Sequence, residues 1–190
     1  MTEKEFMDFL KIAENLKNST RHSVTSTGRP ESVAEHSWRV ALMAMMLEEE
    51  IEGIDFNKVI RMCILHDLGE AITGDIPSFL KTKADSDHED AVLFDLLDTL
   101  PEALGTKWRK LFDEMLAKET KEAKLYKSLD KLEAVIQHNE APLSSWLPLE
   151  YELNAVYGCD EAKAAGDKIW ALREYAIDVT KKKIEKEGTL

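Results

Sequence analysis

Apolar residues recur three and four positions apart along most of the chain, and strict alternation of apolar and polar positions is hard to find. Phe6, Leu10, Ala13 and Leu16 mark a first helix. A polar stretch from Asn18 to Pro30 follows, broken by Gly28-Arg29-Pro30. Ser32-Val33-Ala34-Glu35 is a capping box, and the helix it opens is expected to run to about Glu50. The next helix starts near Asp55 and carries Val59, Ile60, Cys63, Ile64 and Leu65. Gly69 and then Gly74-Asp75-Ile76-Pro77 bend the chain. Ser86-Asp87-His88-Glu89 predicts a second capped helix ending at Pro101, and Glu102 to about Lys118 is helical by pattern. Thr120 opens a helix with Leu125, Leu129, Leu132 and Ile136 in one stripe, ended by Ala141-Pro142. A last long helix is predicted from about Asp160 to Lys186. With no repeat, low-complexity segment or evident linker, the pattern predicts a compact all-α bundle forming one domain over residues 1–190.

Charge narrows the range of partners. The 37 acidic side chains against 25 basic ones give a net charge of −12, which disfavours a nucleic-acid polymer but leaves room for a local basic pocket that takes one small anion. The longest apolar run, Val40 to Leu47, is far short of the roughly 20 residues a membrane span needs. The charged start MTEKEFMDFL has no apolar signal region, and two cysteines make no disulfide framework. The expectation is a cytoplasmic protein with no membrane partner.

Chemistry concentrates in a few places. His66-Asp67 ends an apolar helix just before Gly69, where such a pair is costly unless hydrogen-bonded, ion-paired or bound to a cation. Glu70 shares their face if the helix continues that far, and Asp75 follows the Gly74 turn. His36 lies in the first turns of the helix opened by Ser32, and Asp130 borders the apolar stripe of the helix opened by Thr120. Each has a plain structural alternative: a core histidine on a backbone carbonyl for His36, an ion pair with Lys127 or Lys131 for Asp130, solvated carboxylates near a helix end for the rest.

Taken together, His36, then His66-Asp67, then Asp130, each on its own helix, resembles the H…HD…D signature of the HD-domain metal-dependent phosphohydrolases. The segments Arg29–Ala41, His66–Pro77, and Glu122-Ala123-Lys124 followed by Leu129–Glu133 resemble the three signatures of the 5′-deoxynucleotidase branch, its eukaryotic-like members above all. The resemblance covers roughly residues 5–140 and implies an HD-domain helical bundle, with helices 148–190 packing on it or forming an oligomer face.

The resemblance implies a metal held by His36, His66, Asp67 and Asp130. Two imidazoles and two carboxylates suit Mn, Co, Fe, Ni or Zn better than a purely oxygen-seeking ion, and Mg stays among the candidates. The metal would polarise a phosphoryl oxygen and acidify bound water. Glu70 is then the candidate to orient or deprotonate that water, and Asp75 the candidate general acid. In the resembling family, the residues matching Glu70 and Asp75, with the carbonyl matching Ile76, can instead hold a second cation. Arg21 is the best match to an arginine that contacts substrate at the end of the first helix, and its guanidinium suits phosphate. His22 stands beside it as a further substrate-binding candidate, with Asp67, Asp75 and Asp130. Arg39 and Arg61 are alternative cations.

His88 is expected at the surface, and His138, about 80° round its helix from Asp130, is read as structural. Cys63 is expected to be a buried thiol, Cys159 has no zinc spacing, and Met43, Met45, Met46 and Met62 are expected as core fillers. The expected activity is hydrolysis of deoxyribonucleoside 5′-monophosphates by a metal-dependent homodimer. The competing readings are hydrolysis of a cyclic nucleotide or guanosine polyphosphate, and a non-catalytic metal- or nucleotide-binding bundle.

Overall fold

A computed structural model describes residues 1–188. The last two residues of the expected domain lie outside the described residues. The elements in chain order are α1 (Glu3–Ala13), a 3₁₀ turn (Glu14–Lys17), β1 (Thr20–Val24), β2 (Pro30–Ser32), α2 (Val33–Met46), α3 (Phe56–Leu65) and α4 (Glu70–Thr73). They continue with α5 (Lys83–Asp98), α6 (Glu102–Ala117), α7 (Lys121–Glu140), a 3₁₀ turn (Leu143–Ser145), α8 (Glu150–Val156), α9 (Cys159–Ala165) and α10 (Asp167–Glu187).

The capping chemistry sets several of these starts. Ser32 accepts a hydrogen bond from the Glu35 amide while the Glu35 carboxylate accepts from the Ser32 amide, so α2 begins where its sequence says. It stops at Met46 rather than Glu50, because Glu48, Glu49 and Glu50 would stack like charges at the negative end of the helix dipole. Thr82 and Asp85 form the capping box of α5, one turn earlier than the expected Ser86-Glu89 pair. The expected helix 160–186 is two helices, broken at Gly166, whose φ of 112° no other residue adopts easily.

The polar stretch 18–30 contains an antiparallel hairpin that the all-α expectation omitted. Thr20 pairs with Ser32 and Val24 with Pro30, so β1 advances four residues while β2 advances two. The resulting bulge breaks the period-2 pattern and re-aims side chains.

The buried face of α7 is central. Leu125, Leu129, Leu132 and Val135 are buried, and α7 packs on α2 and α3 from one side and on α9 and α10 from the other. Val40 and Ala44 of α2 and Val59, Met62 and Cys63 of α3 are wholly buried. Each fully buried large side chain contributes about 1.5–3 kcal/mol. Met45 and Met46, expected in the core, are 58% and 71% exposed, because they fall on the outer face of α2. Arg173 of α10 is fully buried and donates to the Asn154 and Tyr157 carbonyls, closing the C-terminal end of α8.

Candidate metal centre

The three helices deliver their polar residues to one point. His36 is wholly buried on α2, and its Nε2 lies 3.1 Å from Asp130 Oδ1 of α7 and 3.9 Å from Asp67 Oδ2. His66 Nε2 lies 3.0 Å from Asp67 Oδ2 and 3.6 Å from Asp130 Oδ1. His66 Nε2 and Asp67 Oδ2 are both buried without a hydrogen bond, despite that separation. Buried polar atoms without a hydrogen bond call for a further partner, and a cation between them would be one.

The other imidazole nitrogens are already committed. His66 Nδ1 donates to the Cys63 carbonyl at 2.8 Å, and His36 Nδ1 lies on Glu133 Oε2 at 2.5 Å. Both contacts leave Nε2 as the nitrogen that could face a metal. His36, His66 and Asp67 therefore bring their donor atoms together as a candidate divalent-cation site, and Asp130 Oδ1 borders both imidazoles.

The electrostatics agree. Burial works against charge on His66, but Asp67 and Asp130 outweigh it and hold the imidazole up to about 10. Burial opposes ionisation of Asp67 and Asp130 too, yet His66 beside Asp67, and Lys127 and the two histidines beside Asp130, hold both carboxyls well below their usual range. Each shift has the same cause, the attraction between imidazoles and carboxylates held at close range in a buried site.

The turn between α3 and α4 places the remaining acids. The chain does not continue as α-helix from His66 to Glu70, as the shared-face expectation required. Instead the Leu68, Glu70 and Ala71 amides bond three residues back. With about three residues per turn, Asp67 and Glu70 fall on the same side. Gly69 makes this possible against α5, since a Cβ there would stand 3.0 Å from Glu89 Cγ. Gly74, at a φ of 75°, then turns Asp75 back toward the cavity.

One cavity of about 200 Å³ collects Arg21, His22, Asp67, Glu70, Asp75, Ile76 and Asp130. His36 and His66 lie behind its carboxylate wall. Glu70 is buried, its Oε2 has no hydrogen bond, and its Oε1 is 4.0 Å from Lys81 Nζ. Burial, aided by Asp67, Asp75 and Glu89 and opposed by Arg21, pushes its carboxyl up to about 9. Burial also raises Asp75, again against Arg21. Arg21 is ion-paired with Glu31, Nε 3.3 Å from Oε2 but outside hydrogen-bond geometry, and reaches toward Asp67 with NH1 3.8 Å from Oδ2.

Arg39 is occupied elsewhere, on Glu140 and Gln137, and Arg61 is exposed. The ion pair weighed for Asp130 exists as well: Lys127 Nζ is 2.6 Å from Oδ2, leaving Oδ1 for the histidines. Lys131 pairs with Glu161 instead. His88 is exposed and Cys63 is buried, its thiol pushed up by that burial. His138, read as structural, lies outside the ligand cluster but lines the cavity.

Sequence reasoning missed two buried carboxylates next to the ligands. Glu133 is wholly buried and holds His36, and Glu31 is 2% exposed and holds Arg21. The signal for Glu133 was its position three residues after Asp130, on the same face of α7. Glu31 had none beyond adjacency to the Ser32 cap.

The family model described as HD domain matches residues 13–170. The 5′-deoxynucleotidase HDDC2 of Xenopus laevis is 33% identical over 138 residues, covering 70% of this chain and 68% of that protein. The 5′-deoxynucleotidase HDDC2 of Dictyostelium discoideum is 32% identical over 145 residues, covering 71% and 76%. A solved structure from Magnetospirillum magnetotacticum, described as a predicted metal-dependent phosphohydrolase, shares the fold with a TM-score of 0.78 at 24% identity, over 96% of this chain and 93% of that one.

Proposed function

The chain belongs to the HD-domain family, and from that premise we propose that it hydrolyses deoxyribonucleoside 5′-monophosphates to deoxynucleoside and phosphate. The observation that carries the reading is the convergence of His36, His66, Asp67 and Asp130 beside a cavity holding Arg21, Glu70 and Asp75. His36, His66, Asp67 and Asp130 would hold a divalent cation, which would supply Lewis acidity to polarise a phosphoryl oxygen and acidify nearby water. Mn, Co, Fe, Ni and Zn suit the donor set, and Mg remains a candidate.

The chain's own residues do the rest. Arg21, fixed by Glu31, offers its remaining N–H groups to the phosphate. Glu70 accepts a proton from the attacking water. Its Oε2 is buried without a hydrogen bond at the cavity wall, so it has an oxygen to offer. Asp75, whose carboxyl burial raises, delivers a proton to the departing 5′ oxygen. Glu70, Asp75 and the Ile76 carbonyl also suit a second cation, and that arrangement competes with the acid–base roles for the same oxygens. Hydrolysis of a guanosine polyphosphate has less support, since Lys81 and Lys127 are engaged by Glu89 and Asp130 and leave few cations for added phosphates.

The reading includes a single domain, a cytoplasmic location and a homodimer. Among the described residues no helix is long and apolar enough to cross a membrane, and exposed Met46 and Tyr175 offer an apolar face for a second copy. The test is phosphate release from deoxy- and ribo-monophosphates after chelation and after adding back Co, Mn or Mg. Metal-restored release from the deoxy series supports the proposal. No release with any metal overturns it.

A further inference from the structure

The cavity has a second end, built by residues outside the family signatures. Glu150, the first residue of α8, is 4% exposed and lines this end. Its Oε1 lies 3.0 Å from His22 Nε2 and its Oε2 lies 3.2 Å from His138 Nε2, while Oε2 also accepts from the Leu147 amide at 2.6 Å. One buried carboxylate thus stands between imidazoles from β1 and α7. His138 Nδ1 meets Ser23 Oγ at 3.1 Å, and Gln137 donates to the Val24 carbonyl, so the end of α7 grips β1 at Ser23 and Val24.

This wall is aromatic as well as polar. The His22 ring stands edge-on to Phe79, with centroids 5.5 Å apart, and its plane is 27° from that of His138 at 6.3 Å. His138 is backed in turn by Trp146. Its buried Nε2 faces Glu150 Oε2 at 3.2 Å, a close polar contact outside hydrogen-bond geometry. The β1 bulge lets neighbouring Arg21, His22 and Ser23 all line the cavity, with Arg21 beside the metal ligands and His22 on Glu150. The wall thus lines the same cavity as Arg21, within reach of a group esterified to a phosphate held there.

Resting on the hydrolase reading above, we propose that Glu150 is a positioning residue for nucleoside specificity. It fixes His22 and His138, and the wall they form with Phe79 packs against the planar base of the substrate. Base–aromatic stacking is worth about 1–3 kcal/mol, so losing an ordered wall costs roughly tenfold or more in recognition of the base.

The test compares two substrates that share the reacting ester: dAMP, and 2-deoxyribose 5-phosphate, which lacks the base. For the metal-loaded wild type, kcat/KM for dAMP exceeds that for the sugar phosphate. Glu150→Ala lowers that ratio about tenfold or more, mainly through KM for dAMP, and Glu150→Gln, which keeps an acceptor oxygen, loses less. Phe79→Ala lowers the same ratio and serves if the Glu150 variants do not fold. An unchanged ratio in folded variants overturns the proposal, as does an equal loss on both substrates, which would mark a role in the reaction centre or the fold. Failure of the wild type to release phosphate from dAMP is a different result: it removes the hydrolase reading and this proposal with it.

Discussion

The ligand cluster and the opposite wall of the same cavity are made from different kinds of chain. His36, His66, Asp67 and Asp130 come from α2, the end of α3 and α7, which pack on one another through Val40, Met62 and Leu129, all wholly buried. The wall comes from a bulged two-stranded hairpin, the 76–79 connection, the end of α7 and the start of α8. Rigid helices suit a site whose atoms must meet within a few tenths of an ångström. Loops and element ends suit contacts that set which ester is accepted. The comparison teaches that the proposed chemistry and the proposed specificity rest on separate parts of this fold and should fail separately.

The sharpest way to break that separation is at Asp67. Asp67→Ala is expected to remove bound metal and turnover together, the largest effect of any change considered, read by metal analysis and phosphate release. Full activity in metal-free mutant protein would show that the cluster is not the reaction centre.

A smaller effect is expected one step behind the ligands. Glu133→Gln is expected to weaken metal affinity about 10- to 100-fold, because Glu133 sets the tautomer and orientation of His36. Manganese titration of the chelated variant checks it. Unchanged affinity would mean that α2 packing alone orients the ring.

The smallest effect concerns stability. Glu70 is raised to about 9 in the fold, so between its ordinary 4.5 and that value the folded protein keeps a proton that the unfolded chain has released. Rising pH therefore costs stability across this window. The metal-free Glu70→Gln variant is expected to match the wild type near pH 4 and to exceed it near pH 9, by about 1–3 kcal/mol. Thermal unfolding at both pH values measures this, and an advantage independent of pH would assign the effect to packing.

The two sides also differed in how far the sequence announced them. His36 and Asp130 sit on long amphipathic helices with clear caps at Ser32 and Thr120, so periodicity placed them, while His66 and Asp67 follow the end of α3 and were marked by their signature segment. Asp67 and Glu70 do share a side, but through bonds to the third residue back rather than the α-helix that the spacing suggested. The hairpin was invisible because Thr20–Val24 is short, polar and bulged, which erases alternation. The long C-terminal helix was over-extended across Gly166, since a single glycine interrupts a helical pattern too briefly to end it. His138 meets Ser23 across 115 positions, and Glu150 meets His22 across a similar span, so no local spacing could have joined them. Glu31 and Glu133 read as ordinary surface acids on charge alone, and only the packing of β2 and α7 buries them.

The most direct test of the central claim is a stepwise titration of chelated protein with manganese, with phosphate release from dAMP followed at each step. The account predicts no release at the start and a rise that tracks metal bound to the protein until the His36, His66, Asp67 and Asp130 site is filled. Release that is already complete in the chelated protein, or that stays at zero once metal is bound, would contradict it.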